Sequence, residues 1–334
     1  HTLDVSAGTY AEDVLVDKEL TIRGPNHSID PCSGMRVPEA IVVPKTKDIA
    51  STVLFYIDAN TDDVTIVGFT MDGDNPSLTS GFSSTNGADI DAAEAVATYE
   101  TGVDNLVVKN NIIKNLSYFG VTHYDYPAGV ASTGHEISNN KFLDLGTYDA
   151  GSGISFWGGG VLLYNNGYAH VHDNCMTNVR IGVQTGNYYR ANPGAGTYQR
   201  IEDNTMSVRR RGIFHNLFYS SASPYTLDDN TITAVDHASE IYWDGILVSS
   251  HQGVSSTTSN NDIDGTLVPA KTSEGLEVWN VRSTAPAIIS GGTVTGVDIG
   301  LFVNNYEGYA SDAGEGAHTT VSGLVATDCP IGAK

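Results

Sequence analysis

Arg211, Asp244 and Glu274 each stand directly before a glycine that opens a short apolar run, in three consecutive repeats of the chain. If those repeats stack as turns of a solenoid, the three side chains share one column, about 5 Å between neighbours. Two carboxylates at that separation suit the catalytic pair of a retaining glycosidase, one of them carrying a proton near neutral pH. A guanidinium beside them suits a uronate carboxylate or an anionic transition state. Glu277 stands two places after the same column of glycines, Tyr124, Trp157 and Trp279 four places after it, and Trp243 directly before Asp244. Indole and phenol rings stack on sugars. The candidate catalytic pair is therefore Asp244 and Glu274, with Arg211, Trp157, Trp243, Trp279, Glu277 and Tyr124 as substrate contacts. The same column also reads as a surface salt-bridge ladder, each pair worth under about 1 kcal/mol.

Two further clusters offer hard oxygen ligands. Asp72-Gly-Asp74-Asn75 and Asp262-Ile-Asp264-Gly265 place paired aspartates in turns, as a Ca2+ site requires, though neither has the length or terminal Glu of an EF-hand loop. Asp and Asn in turns also serve as caps without any ion. The run Arg209-Arg210-Arg211 is the densest basic stretch, and strand alternation predicts Arg209 and Arg211 on one face with Arg210 on the other.

The elements that must position these residues are a repeat. Asn110-Asn111, Asn139-Asn140, Asp173-Asn174, Asp203-Asn204, Asp229-Asn230 and Asn260-Asn261 each close a short alternating run, and Gly291-Gly292 and Ser322-Gly323 continue the series. Gly120, Gly153, Gly182, Gly212, Gly245, Gly275, Gly300 and Gly332 each open another, at spacings of 25 to 33 residues. A period in that range made of strands and turns is a β-solenoid, in which each unit buries its apolar face only by stacking on its neighbours. Asn repeated at one turn can form a ladder of side-chain amides and tolerates the left-handed backbone a tight turn needs. Positions one and three after each glycine point inward, as Ile154/Phe156, Ile246/Val248, Leu276/Val278 and Leu301/Val303 show, with His123, Thr185 and His215 as polar exceptions. Loops near 144–152, 234–244 and 264–274 lengthen one corner, which in a solenoid builds a binding face. Residues 1–100 are less regular, residues 103–334 regular, all in one domain, and 88–99 has helical propensity with a strand as the alternative.

The opening Val5-Ser-Ala-Gly8-Thr-Tyr10-Ala-Glu12-Asp-Val14, followed by Leu20-Thr-Ile22-Arg-Gly24, resembles the first coil of secreted right-handed parallel β-helix proteins. Pectin methylesterase-like and polysaccharide-lyase-like enzymes and many bacterial surface proteins share it. The resemblance implies an all-β, right-handed parallel β-helix of roughly ten coils, an extracellular or cell-surface location, and a structural, adhesive or polysaccharide-active role. The enzymes' signatures are missing. The galacturonase set of Asn-Thr-Asp, Asp-Asp and Gly-His-Gly over successive coils does not occur, nor does Arg-x-Pro-x-x-Arg of the pectate lyases. A structural or adhesive surface module, self-associating end to end or binding glycans, is thus expected ahead of a polysaccharide lyase or glycoside hydrolase acting on an acidic or neutral polysaccharide.

Composition narrows the partners. With 39 acidic against 17 basic residues, the formal charge of −22 opposes a phosphate backbone, so nucleic acid is excluded as a partner. No run approaches the ~18 apolar residues of a membrane span. Cys32, Cys175 and Cys329 lack metal or redox spacing, and an elongated stack keeps Cys32 from Cys329. Free thiols are expected, with Cys175 as a small core residue. Strand pattern begins within three residues of His1 and runs to the last residues with no capping helix, which suggests a piece of a longer protein or end-to-end stacking of copies.

Overall fold

The computed structural model describes residues 1–84, 86–100, 102–124, 132–146, 158–164, 167–186, 199–216, 225–238, 240–249, 256–268, 272–279, 287–304 and 319–334. Among these there is no helix. The chain is a right-handed parallel β-helix whose first sheet has eleven strands, from Thr2–Asp4 through Val107–Lys109, Ser132–Ser138, Gly167–His172 and Gln199–Glu202 to Thr319–Ser322. The remaining strands form two further ladders, joined because Cys175–Gly186 and Thr205–Asn216 each run through both. Every named pairing is parallel and links one coil to the next.

The core is built from columns of like residues. Ile22, Ile66, Val108, Ile137, Val171, Ile201, Leu227, Thr258 and Ile289 stack in register along the first sheet, all buried. Such strands are too short to hold an apolar face alone, so each coil is stable only against its neighbours.

The expected asparagine column is present. In Asn111, Asn140, Asn174, Asn204, Asn230 and Asn261, each of the first five donates from Nδ2 to the next Oδ1 at 2.9–3.1 Å. The residue before each has φ between 50° and 56°, a left-handed turn that Asn and Asp tolerate. Each buried amide thereby meets its hydrogen-bond demand, worth about 1 kcal/mol net per bond.

The glycine column is set by close approach. A Cβ on Gly212 would lie 2.5 Å from the Gly245 carbonyl oxygen, and one on Gly245 would lie 2.5 Å from that of Gly275. The register also corrects one member: Gly160, not Gly153, sits between Gly120 and Gly182. Gly153, Ile154 and Phe156 lie outside the described residues.

Three other expectations change. Ala92–Thr98 is an extended, wholly buried strand, the alternative to a helical excursion. Its small side chains fill the slot between Asp48–Ile57 and Phe119–Tyr124, and that packing overrides helical propensity. The cysteines are not all free, because Cys32 and Cys175 form a disulfide across 143 residues, leaving only Cys329 as a thiol. Cys175 is half-buried rather than a core residue. The reason is the 24–39 segment, which crosses several coils. Arg36 donates to the carbonyls of Ile29, Phe69 and Asn110, and Asn110 donates to the His27 carbonyl, 2.7 Å. The segment thus straps the asparagine turns and carries Cys32 to a distant coil.

The third is the basic run. An irregular register at this corner, where Met176 pairs Met206, Val179 pairs Val208 and Ile181 pairs Arg211, breaks the alternation expected of Arg209–Arg211. Arg209 is buried and donates to the carbonyls of Leu145 and Gly146, Arg210 is half-buried, and Arg211 faces outward onto Asp244.

Candidate functional site

The column before the glycines reads Glu94, Phe119, Gly159, Ile181, Arg211, Asp244, Glu274, Ile299 down the stack. Arg211, Asp244 and Glu274 are therefore neighbours in adjacent coils, as the spacing predicts. Gly245 lies on the inner side of its corner, so Asp244 and Leu247 face outward around it, and Glu274 and Glu277 do the same around Gly275. That corner brings Glu277 to Glu274.

Asp244, Glu274 and Glu277 each offer one carboxylate oxygen within 4.8 Å of the other two. Asp244 and Glu277 are buried and Glu274 is half-buried. Arg211 Nε donates to Asp244 Oδ2 at 2.6 Å and its Nη2 to the Tyr242 hydroxyl at 3.0 Å, while the guanidinium lies over the Phe214 ring at 4.6 Å. Arg210 also reaches the Tyr242 hydroxyl and covers the Tyr242 ring. Burial pushes the Asp244 carboxyl up, against the opposing charge and hydrogen bond of Arg211. Burial also pushes Glu274 up, opposed by its hydrogen bond with Glu277 and reinforced by the charge of Asp244. The cluster can therefore hold and transfer a proton, accept hydrogen bonds from hydroxyls, or bind a hard divalent cation through three oxygens.

Other expected contacts are dispersed. Trp243 is wholly buried in the core, its Nε1 donating to the Val208 carbonyl at 3.2 Å, so it offers no face to a ligand. It points inward because the corner glycine follows Asp244 rather than Trp243. Tyr124 lies four coils before Asp244, stacked with Tyr164 at 5.3 Å and beside Tyr99 at 6.0 Å. Trp279 shares its column at the level of Glu274, and Trp157 lies outside the described residues. The long loop before Tyr242 serves the stack, since its Glu240 takes a buried, two-point contact from Arg180 two coils earlier. The paired aspartates are apart and locally engaged. Asp72 binds Lys114 and Asn115, Asp74 is half-buried with its carboxyl pushed up, Asp262 accepts from Thr293, and Asp264 accepts from Thr266.

Glu94 was missed. It is wholly buried in the same outward column, hydrogen-bonded by the hydroxyls of Thr122 and Tyr99 (2.6 Å), and burial pushes its carboxyl up to about 7. Its signal lies in the repeat: Ala95 stands 25 residues before Gly120, a spacing that also separates Gly275 from Gly300.

No family model matches this sequence, and none of the curated proteins matches it. Among solved structures, the fold is similar to that of the Streptococcus pneumoniae surface protein and adhesin PfbA, with a TM-score of 0.60 and 11% identity over all of this chain and 90% of that one. DFA-IIIase from Arthrobacter chlorophenolicus A6 in complex with GF2 aligns with a TM-score of 0.45 and 14% identity over 97% and 81% of the two chains. A family 28 exopolygalacturonase from Yersinia enterocolitica aligns at 0.32 and 10% over 98% and 72%. The first of these likenesses establishes a shared fold.

Proposed function

We propose that this chain is an extracellular, cell-surface β-helix module that binds a hydroxyl-rich, uncharged glycan at the Asp244, Glu274 and Glu277 cluster. The observation that carries the reading is the convergence of three carboxylates on one outward corner with Arg211 already satisfied by Asp244 and Tyr242. A guanidinium so engaged has little left for a uronate, whereas the half-buried Glu274 can accept from sugar hydroxyls. The net charge of −22 likewise disfavours a polyanion. The Cys32–Cys175 disulfide fits an oxidising compartment, and the fold similarity to a surface adhesin agrees with it.

One observation favours glycoside hydrolysis as a second reading. The half-buried Glu274, its carboxyl pushed up by burial, offers an oxygen within 4.8 Å of Asp244, near the ~5 Å separation of retaining glycosidases. A single screen separates the two. Neutral and acidic glycans are tested for binding and for release of reducing ends, with and without Ca2+, using the wild type, Asp244→Asn and Glu274→Gln. Binding without product release, lost in Glu274→Gln while the fold is retained, supports the module. Product release abolished by both substitutions transfers the site to catalysis. Binding that survives both substitutions removes the cluster from either role.

A further inference from the structure

We propose that Gln184, with Leu162 and Ile181 beside it, forms a slot for an acetamido group, so that the glycan taken by this face of the stack is N-acetylated. The inference rests on the glycan reading of the carboxylate cluster and names its substrate class.

Gln184 lies on the strand Cys175–Gly186, and its neighbour Val183 joins the core, so Gln184 projects from the outer face of the sheet. Parallel register sets Leu162 one coil before it and Phe214 one coil after, followed by Leu247 and Glu277. The amide thus shares a column with one member of the carboxylate cluster, three coil spacings or ~14 Å away. Phe119, Leu162 and Ile181 form an apolar cluster of their own, separate from the core, with Tyr118 and Tyr164 packed against it. Gln184 adjoins that cluster through Leu162 in the coil before and Ile181 on its own strand. The next outward position on the strand, Gly186, sets no side chain beside Tyr164.

Gln184 is 5% exposed, and its Oε1 is buried with no hydrogen-bond partner among the described residues. Its two neighbours in the column, Leu162 and Phe214, have hydrocarbon side chains and offer it no bond. An amide withdrawn from water without a partner lowers stability, whereas a leucine at the same place would extend the apolar cluster. The fold therefore gives no reason for an amide here, and a ligand that brings the missing donor does.

An acetamido group is the complement of this arrangement. Its N–H donates to an amide oxygen, its carbonyl accepts from an amide N–H, and its methyl group adds to an apolar wall. A glutamine beside Leu162 and Ile181 supplies all three. A plain hydroxyl would leave the wall uncovered, and the free amine of a de-acetylated sugar would bring a cation against hydrocarbon. An N-acetylated hexose is therefore distinguished from both, and it is uncharged, as the engagement of Arg211 by Asp244 and Tyr242 requires. An oligosaccharide lying along the axis reaches Gln184 and Glu274 together, whereas a single ring reaches one of them.

The test uses the full chain and paired probes. The β-1,4-linked tetramers of N-acetylglucosamine and of glucose are compared by calorimetry, and N-acetylglucosamine and N-acetylgalactosamine are compared with their parent hexoses by ligand-observed NMR. The acetylated member should bind at least tenfold more tightly. Gln184→Leu should abolish that preference and leave the melting temperature unchanged or higher, and Gln184→Met repeats the test with an unbranched side chain. Glu274→Gln should weaken both tetramers alike and leave the monosaccharide preference intact. Equal affinity within every pair overturns the proposal. So does a preference that survives both Gln184 substitutions, or a melting temperature lowered by both, which would make the amide structural. An acetamido preference that persists while Glu274→Gln changes neither tetramer supports the slot and removes the cluster reading. Tetramer binding that needs Glu274 but shows no acetamido preference does the reverse.

Discussion

Replacing Glu94 with Gln tests how a buried carboxyl is carried in the outward column. Glu94 pairs with Val53 in the preceding coil and neighbours Phe119 in the next. Among the described residues it accepts hydrogen bonds from the Thr122 and Tyr99 hydroxyls, and no cation contributes to its environment. Burial lifts its carboxyl from 4.5 to about 7, so between those values the folded chain keeps a proton that the unfolded chain gives up. At ~1.36 kcal/mol per unit, the difference is about 3 kcal/mol. The sign follows. Stability from this group is complete below pH 4.5 and is lost as pH rises toward 7, after which the deficit is constant. Gln keeps an acceptor for Tyr99 and cannot ionise. The unfolding free energy of wild type minus Glu94→Gln should therefore fall by about 3 kcal/mol between pH 4.5 and pH 8, measured by denaturant melts in one buffer series. A carboxyl 13C titration of Glu94 gives the independent reading, with a midpoint near 7. Parallel pH profiles for the two proteins, or a midpoint near 4.5, would refute the reasoning.

Three further outcomes are expected. Asn174→Ala removes the acceptor for the Asn140 backbone N–H and Nδ2 and should cost about 3 kcal/mol in melts, far more than a surface Asn. Thiol titration of the unreduced native chain should find one reactive group per molecule, Cys329, and Cys32→Ser and Cys175→Ser should destabilise equally, by roughly 4–5 kcal/mol for so long a closed loop; three native thiols would contradict the strap. Arg211→Met should cost about 3–5 kcal/mol by leaving the buried Asp244 uncompensated, and the double variant Arg211→Met, Asp244→Leu should recover most of it.

The acidic side of the stability profile has its own source. Burial holds His123 down to about 4, against the smaller opposing effect of hydrogen bonding to the backbone of Val103. The folded chain therefore resists a proton that the unfolded chain accepts from about pH 6.5 downward, and stability falls as pH drops from there to about 4. His123 and Glu94 act in opposite directions, so only the difference between wild type and variant isolates either.

What the sequence by itself determined about this protein is the periodic part. Asn and Gly recur because stacking brings identical turns and corners together every coil, so one local demand is written many times and can be read without coordinates. The same periodicity placed Arg211, Asp244 and Glu274 side by side. What only the tertiary structure decided is whatever occurs once. The Cys32–Cys175 bond depends on where a single strap crosses the coils. The burial of Trp243 and Arg209 depends on which residue turns inward at a corner, and an irregular register there defeats simple alternation. Glu94 lies in an alanine-rich stretch whose local preference is helical and whose strand geometry comes from its two flanking coils. Repetition is legible because each copy confirms the others; single contacts between distant segments have no second copy and are fixed only by packing.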